Sequence, residues 1–144
     1  MYFVDMNSLI HKLNFFDNKL KLYHQVKMDT EVDKLGLERL THVLIESFLD
    51  IGNMMIDGFV MRDPGSYADI ITILVDENVL KKEDEEAYQA LINIRKDLVS
   101  NYENVDHQSI QHILDKYFQV FEQFSKDIKS YLATEMGVAN TFTE

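Results

Sequence analysis

The chain has 144 residues, 46% apolar and 27% charged, the balance of one globular domain with its own core and not of a disordered segment. It contains no Cys, which excludes disulfides and thiolate metal sites and suits a reducing compartment. The formal net charge of −11 repels phosphate backbones at long range and argues against tight non-specific nucleic-acid binding, while leaving room for a small local basic site.

One Pro and five Gly leave few breaks, which favours long helices over a many-stranded sheet. The first helix is predicted over residues 7–27, where Leu9, Leu13, Phe16, Leu20 and Tyr23 form one apolar stripe. Asp29 and Thr30 break it. The second is predicted over residues 31–61, opened by a capping box of Thr30 with Asp33 in place of Glu. At 1.5 Å per residue it is roughly 45 Å long. Its middle is apolar nearly all round, through Val43, Leu44, Ile45, Phe48, Leu49, Ile51, Met54, Met55 and Ile56. Such a helix is normally buried on every side, so it is expected to be central or shared with a second subunit. Pro64-Gly65 ends it.

A short third helix is predicted over residues 67–77, capped by Ser66 with Asp69 three residues on. The fourth is predicted over residues 82–102, acidic in its first turn as the helix dipole favours, with Tyr88, Leu91, Arg95, Leu98 and Tyr102 on one stripe. The fifth is predicted over residues 107–136, with Asp106 as N-cap and Gly137 as stop. Its inner face is Ile110, Ile113, Leu114, Tyr117, Phe121, Phe124, Ile128 and Tyr131. These elements predict an all-α fold, a five-helix up-and-down bundle with a long central helix. One domain is expected over residues 1–137, with a flexible tail over 138–144.

Residues 1–5 show no basic segment followed by an apolar run, so no signal peptide is expected. The most apolar stretch, residues 43–61, is interrupted by Glu46, Asp50 and Asp57, whereas a membrane span needs about 20 mostly apolar residues. A soluble, cytoplasmic protein without membrane association is expected.

Three features bear on chemistry. The first is Arg95, one of only three Arg beside eleven Lys, placed between Leu91 and Leu98 on an apolar stripe. A guanidinium stays charged at neutral pH, so within a core it needs an anion. That anion is either a protein carboxylate, Asp50 or Glu46, or a ligand phosphate matched by the planar fork. The second is the row Glu46, Asp50, Asn53, Asp57, spaced to share one face of the second helix. It reads as a site or as a structural network holding Arg95 or Arg39. Gly52 and Gly58 interleave with it, each costing about 1 kcal/mol in a helix relative to Ala. Close approach of another helix or of a ligand would account for them.

The third feature is what is missing. None of the five His follows a Glu at the spacing of a di-metal bundle site, and no Gly-rich phosphate loop or Ser-His-Asp set stands out. No cofactor and no metal are expected. Glu38 and His42, four apart, read as a surface pair.

The segment Ile94-Arg95-Lys96-Asp97-Leu98-Val99-Ser100-Asn101-Tyr102 resembles the signature of the HepT-like branch of the HEPN superfamily, which is Arg, four residues, His, one residue, Tyr. Upstream, His42 to Ser47, Asp50 to Asn53 and Arg62 to Tyr67 resemble that family's central helix and following turn. The resemblance runs in order over residues 2–136. It implies a dimerising all-α bundle and a toxin-type, metal-independent ribonuclease whose two motifs meet in one cleft. In that family the Arg orients the scissile phosphate and the His moves a proton as the ribose 2′-hydroxyl attacks. The partner is a small nucleotidyltransferase antitoxin that can adenylylate the Tyr.

Carried over, Arg95 matches the Arg and Tyr102 the Tyr and modification site, with Glu46, Asp50 and Asn53 in support. Ser100 stands where the His belongs. A hydroxyl has no pKa near neutrality, and general acid–base catalysis contributes typically 10²–10⁴-fold. Two expectations follow: a ribonuclease toxin component with a degenerate site, or an inactive dimeric binding or scaffold protein. A homodimer is expected on either reading, because the all-round apolar second helix is hard to cover inside one chain.

Overall fold

The computed structural model describes residues 4–136. The expected stop at Gly137 and the tail over 138–144 lie outside the described residues. Among the described residues there are six helices: α1 Met6–Leu22, α2 Glu31–Gly58, α3 Tyr67–Asp76, α4 Glu85–Ser100, α5 His107–Lys116 and α6 Phe118–Met136. Short 3₁₀ turns lie at Tyr23–Gln25 and Lys82–Asp84, and no strand occurs among the described residues. No helix there is long and apolar enough to cross a membrane.

The caps follow the sequence. Thr30 Oγ1 accepts from the Asp33 amide at 3.1 Å and Asp33 Oδ2 accepts from the Thr30 amide at 3.0 Å, a complete capping box. Asp106 accepts from the Ser109 amide at 3.1 Å to open α5. Several ends differ from the periodicity reading. The first helix stops at Leu22, where the chain tightens and the Tyr23 hydroxyl donates to Asp115 at 2.7 Å. α4 stops at Ser100, so Tyr102 is not helical. The expected last helix is divided at Tyr117 (φ −109°, ψ 14°) into α5 and α6. Neither Gly nor Pro marks this break. Ile110 and Leu114 before it and Phe121, Phe124 and Ile128 after it all remain in the core.

α2 ends earlier than residue 61, through backbone geometry and not at Pro64. The Met61 amide donates to Ile56 O at 2.9 Å and the Val60 amide to Asp57 O at 3.3 Å, the paired bonds of a Schellman turn. This places Val60 in the left-handed region at φ 54°. The end of α3 repeats the pattern with Asn78 at φ 62°.

α2 lies at the centre, packed by α1, α3, α4 and α5. Phe16, Phe48, Tyr88, Phe121 and Phe124 are fully buried there. Tyr88 stacks on Phe48 with centroids 5.0 Å apart, and Phe124 meets Phe48 at 4.8 Å and Phe16 at 5.1 Å. Burial pushes the Tyr88 phenol above its usual range, and its hydroxyl donates to Val120 O at 3.2 Å. Gly52 marks a close approach: a Cβ there would meet Ile70 Cγ2 of α3 at 2.7 Å. The apolar middle of α2 is thus covered inside one chain, and the coverage argument for a second subunit fails. Exposed apolar side chains lie instead at Val32 and Leu35 on its first turns and at Tyr67, Val99 and Tyr102.

A β-branched residue at positive φ costs about 1–2 kcal/mol. Val60 is 68% exposed, so it has little packing to lose. Val60→Gly is expected to raise stability by about 1 kcal/mol, less the entropy Gly adds to the unfolded chain. A lower thermal midpoint for the variant would contradict this.

Candidate functional site

α2 and α4 run antiparallel: Phe48 meets Tyr88, Glu46 meets Arg95, and Leu35 lines a groove with Leu98. Arg95 lies two turns along α4 from Tyr88, on the same stripe. Its Nε and Nη2 donate to Glu46 Oε1 at 3.2 and 3.1 Å. Its guanidinium carbon sits 4.7 Å from the centroid of the Tyr67 ring, a cation–π contact. The Glu46 oxygen has a further partner, His42 Nε2 at 3.1 Å, and Arg39 Nη1 lies 3.5 Å from His42 Nδ1. Arg39, His42 and Glu46 are spaced three and four apart, on one face of α2.

Of the two carboxylates expected beside Arg95, Glu46 makes the contact. Asp50 is instead paired with Lys12 of α1 at 3.1 Å, and among the described residues the ion pair of Arg95 is with Glu46 alone. Asn53 and Asp57 are exposed and belong to the same row without reaching Arg95. Glu38, read as a partner of His42, turns to His107 of α5 at 2.7 Å. The remaining motif positions stand apart. Ser100 is exposed and, five residues beyond Arg95, is rotated about 140° around the helix from it. Tyr102 is 66% exposed and lines a groove of about 780 Å³ with Glu38 and His107. His42 and Tyr67 were not singled out from sequence for this cluster. The signal that could have found His42 was its place between Arg39 and Glu46 on one helix face.

The Arg95 side chain is 26% exposed and that of Glu46 38%. A pair this open contributes about 1 kcal/mol at most, far below the 3–5 kcal/mol lost on breaking a buried one. Folding therefore gains little from this cluster. What it provides is an oriented guanidinium with further N–H donors free of Glu46, joined through Glu46 to His42, which lines a groove of about 210 Å³ with Leu35, Glu38, Arg39 and Leu98. Such donors suit a phosphate. Among the described residues no three His, Asp or Glu side chains gather as a metal site would need.

The turn before α3 positions Tyr67. Arg62 bridges both oxygens of Asp69 at 2.8 Å each, and Asp69 also accepts the Gly65 amide at 2.9 Å. Ser66 caps α3 by accepting from the Asp69 amide at 3.1 Å.

The model of the HepT-like family, described as ribonuclease HepT-like, matches residues 8–128. The chain belongs to the HepT-like ribonuclease family. It is 43% identical over 143 residues to a protein of Bacillus subtilis (strain 168) named "Putative RNase YutE", covering 99% of each. It superposes with a TM-score of 0.92 on the solved structure of the cytosolic protein YutE from Bacillus subtilis, at 42% identity over 99% of this chain and 100% of that one. A structure described as a toxin-antitoxin with AMP-PNP shares the fold, with a TM-score of 0.75 at 19% identity over 88% of this chain and 99% of that one.

The Arg62 hydrogen bonds, then that of the Gly65 amide, hold the Asp69 carboxyl down at about 2. An unfolded Asp titrates near 3.9. The sign follows: the turn is fully stabilised above about pH 4 and loses that stabilisation as pH falls toward 2. NMR titration is expected to place Asp69 near 2 in the wild type and nearer 4 in Arg62→Gln. A wild-type midpoint near 4 would count against the pair.

Proposed function

We propose that this chain is the toxin component of a HepT-type toxin–antitoxin pair, a ribonuclease that needs no metal. One observation carries the reading: Arg95 is held half-open by Glu46, in a pair too exposed to be explained by stability. On this reading Arg95 binds the scissile phosphate and Glu46 orients it, while Asp50 and Asn53, expected in support, lie one and two turns further along α2. Ser100 contributes at most a hydrogen bond. Tyr102, exposed beyond the end of α4, is open to a modifying enzyme. The partner is a small nucleotidyltransferase antitoxin. Family membership and the fold shared with a toxin-antitoxin structure support that kind of partner. The cytoplasm is the corresponding compartment, in keeping with a relative described as cytosolic.

Purified protein in excess chelator is expected to cleave single-stranded RNA, with a loss of about 100-fold or more in Arg95→Ala. Equal cleavage by the two would remove Arg95 from the site. A second reading, an inactive binding or scaffold protein, is favoured by the exposed Ser100 at the motif His position. Ser100→His decides between them: if the wild type already cuts as fast as this variant, the inactive reading is wrong.

We further propose a homodimer across the α2–α4 face. Leu35 and Val99 are exposed there, Leu35 lining a groove with Arg39 and Leu98. A solution mass of twice 16.9 kDa is expected at micromolar concentration. A strictly monomeric mass would overturn the proposal.

A further inference from the structure

We propose that His42, on α2, supplies the acid–base group of this cleft, the task that Ser100 on α4 cannot perform. The inference rests on reading Arg95 as the phosphate-binding residue of a ribonuclease.

The geometry begins with one oxygen. Glu46 Oε1 accepts from Arg95 Nε and Nη2 at 3.2 and 3.1 Å and from His42 Nε2 at 3.1 Å. The imidazole and the guanidinium are therefore no more than about two hydrogen-bond lengths apart. A phosphodiester gripped by the free edge of Arg95 has its ribose within reach of that imidazole. Because a carboxylate can only accept, Nε2 carries the hydrogen in this contact, and Nδ1 keeps its lone pair in the neutral ring. The carboxylate on Nε2 holds the imidazole in one tautomer, and Nδ1 faces Arg39 Nη1 at 3.5 Å, a long contact that an incoming 2′-hydroxyl replaces.

The side chain is 28% exposed and lines the groove with Leu98, so it is both oriented and accessible. The charged groups around it are Glu38, Arg39 and Glu46 of α2, Arg95 of α4, and His107 of α5 through Glu38.

The step balances without any co-reactant. The ribose 2′-hydroxyl gives its proton to His42 Nδ1 while its oxygen bonds to phosphorus. The bond from phosphorus to the 5′ oxygen breaks, leaving a 2′,3′-cyclic phosphate. The departing 5′ oxygen takes a proton from solvent, and the imidazolium releases its own to solvent. Arg95 holds the phosphoryl oxygens as charge builds on them.

The test uses the full chain, a mixed-sequence single-stranded oligoribonucleotide and excess chelator. Wild type is compared with Arg95→Ala, His42→Ala and His42→Gln, the last retaining a donor to Glu46. Melting curves and solution mass accompany each variant. Both His42 variants are expected to fold and assemble like wild type and to lose about 100-fold or more in rate, since acid–base catalysis is worth 10²–10⁴-fold. The wild-type rate is expected to rise through the imidazole range, a limb absent from the residual activity of His42→Gln. Added imidazole is expected to restore part of the His42→Ala activity.

If His42→Gln cuts as fast as wild type while Arg95→Ala does not, His42 has no such role and the ribonuclease reading stands. The acid–base role is also overturned if His42→Gln is slow but keeps the wild-type pH limb, because His42 then only braces Glu46. If wild type and Arg95→Ala cut equally, or neither cuts, the ribonuclease reading fails and this inference falls with it.

Discussion

The stacking of Tyr88 on Phe48 sets how α4 lies against α2, and the cluster on the surface depends on that register. Both rings are fully buried, nearly parallel at 16°, and enclosed by Phe121 and Phe124 of α6. The Tyr88 hydroxyl is tied to α6 through Val120 O, so the ring has little freedom to turn. Two turns along α4, the same face carries Arg95 out of the core to Glu46. A slip of one residue would rotate that face by about 100° and take Arg95 away from α2. The aromatic core thus supplies precision to a surface pair that contributes little stability itself.

The electrostatics are local. The chain as a whole is strongly acidic, at −11, yet Arg39 and Arg95, two of its three Arg, stand around His42. The third, Arg62, fixes the turn that delivers Tyr67 beneath Arg95. Lys carries the remaining positive charge, including the Lys12–Asp50 pair between α1 and α2. Arg is concentrated where planar, directional contacts form. A compact ammonium could not meet Glu46 through two N–H groups, face Tyr67 and still present free donors.

α2 is apolar on nearly all sides because the other helices of the same chain cover it. Its central length therefore carries no information about a second copy. The apolar side chains left exposed, Val32 and Leu35 on its first turns, lie beyond the reach of that cover, and Leu35 lines the groove. Any assembly through this face would bring the Arg95 cluster toward its interface.

Much of the fold was legible along the chain. The stripes of Leu9, Leu13, Phe16 and Leu20, and of Tyr88 and Leu91, fall in the core, and the caps at Thr30, Ser66 and Asp106 form as their spacing implies. These are local matters, settled within a few residues by hydrogen bonds and by the helical period. Arg95 was legible as an anomaly among leucines, and Gly52 as a close approach. The break at Tyr117 was not, because no Gly or Pro marks it and the apolar pattern continues through it. Nor was the turn at Val60, where a β-branched residue takes a conformation that its type disfavours. Which carboxylate meets Arg95 was decided only by packing. Glu46 and Asp50 share one face of α2, and α1 claims Asp50 through Lys12. His42 needed no such decision: Arg39 and Glu46, three residues before it and four after, lie on the same face of α2, so helical spacing alone brings the three together, while only the neighbouring helix could bring Arg95 to Glu46.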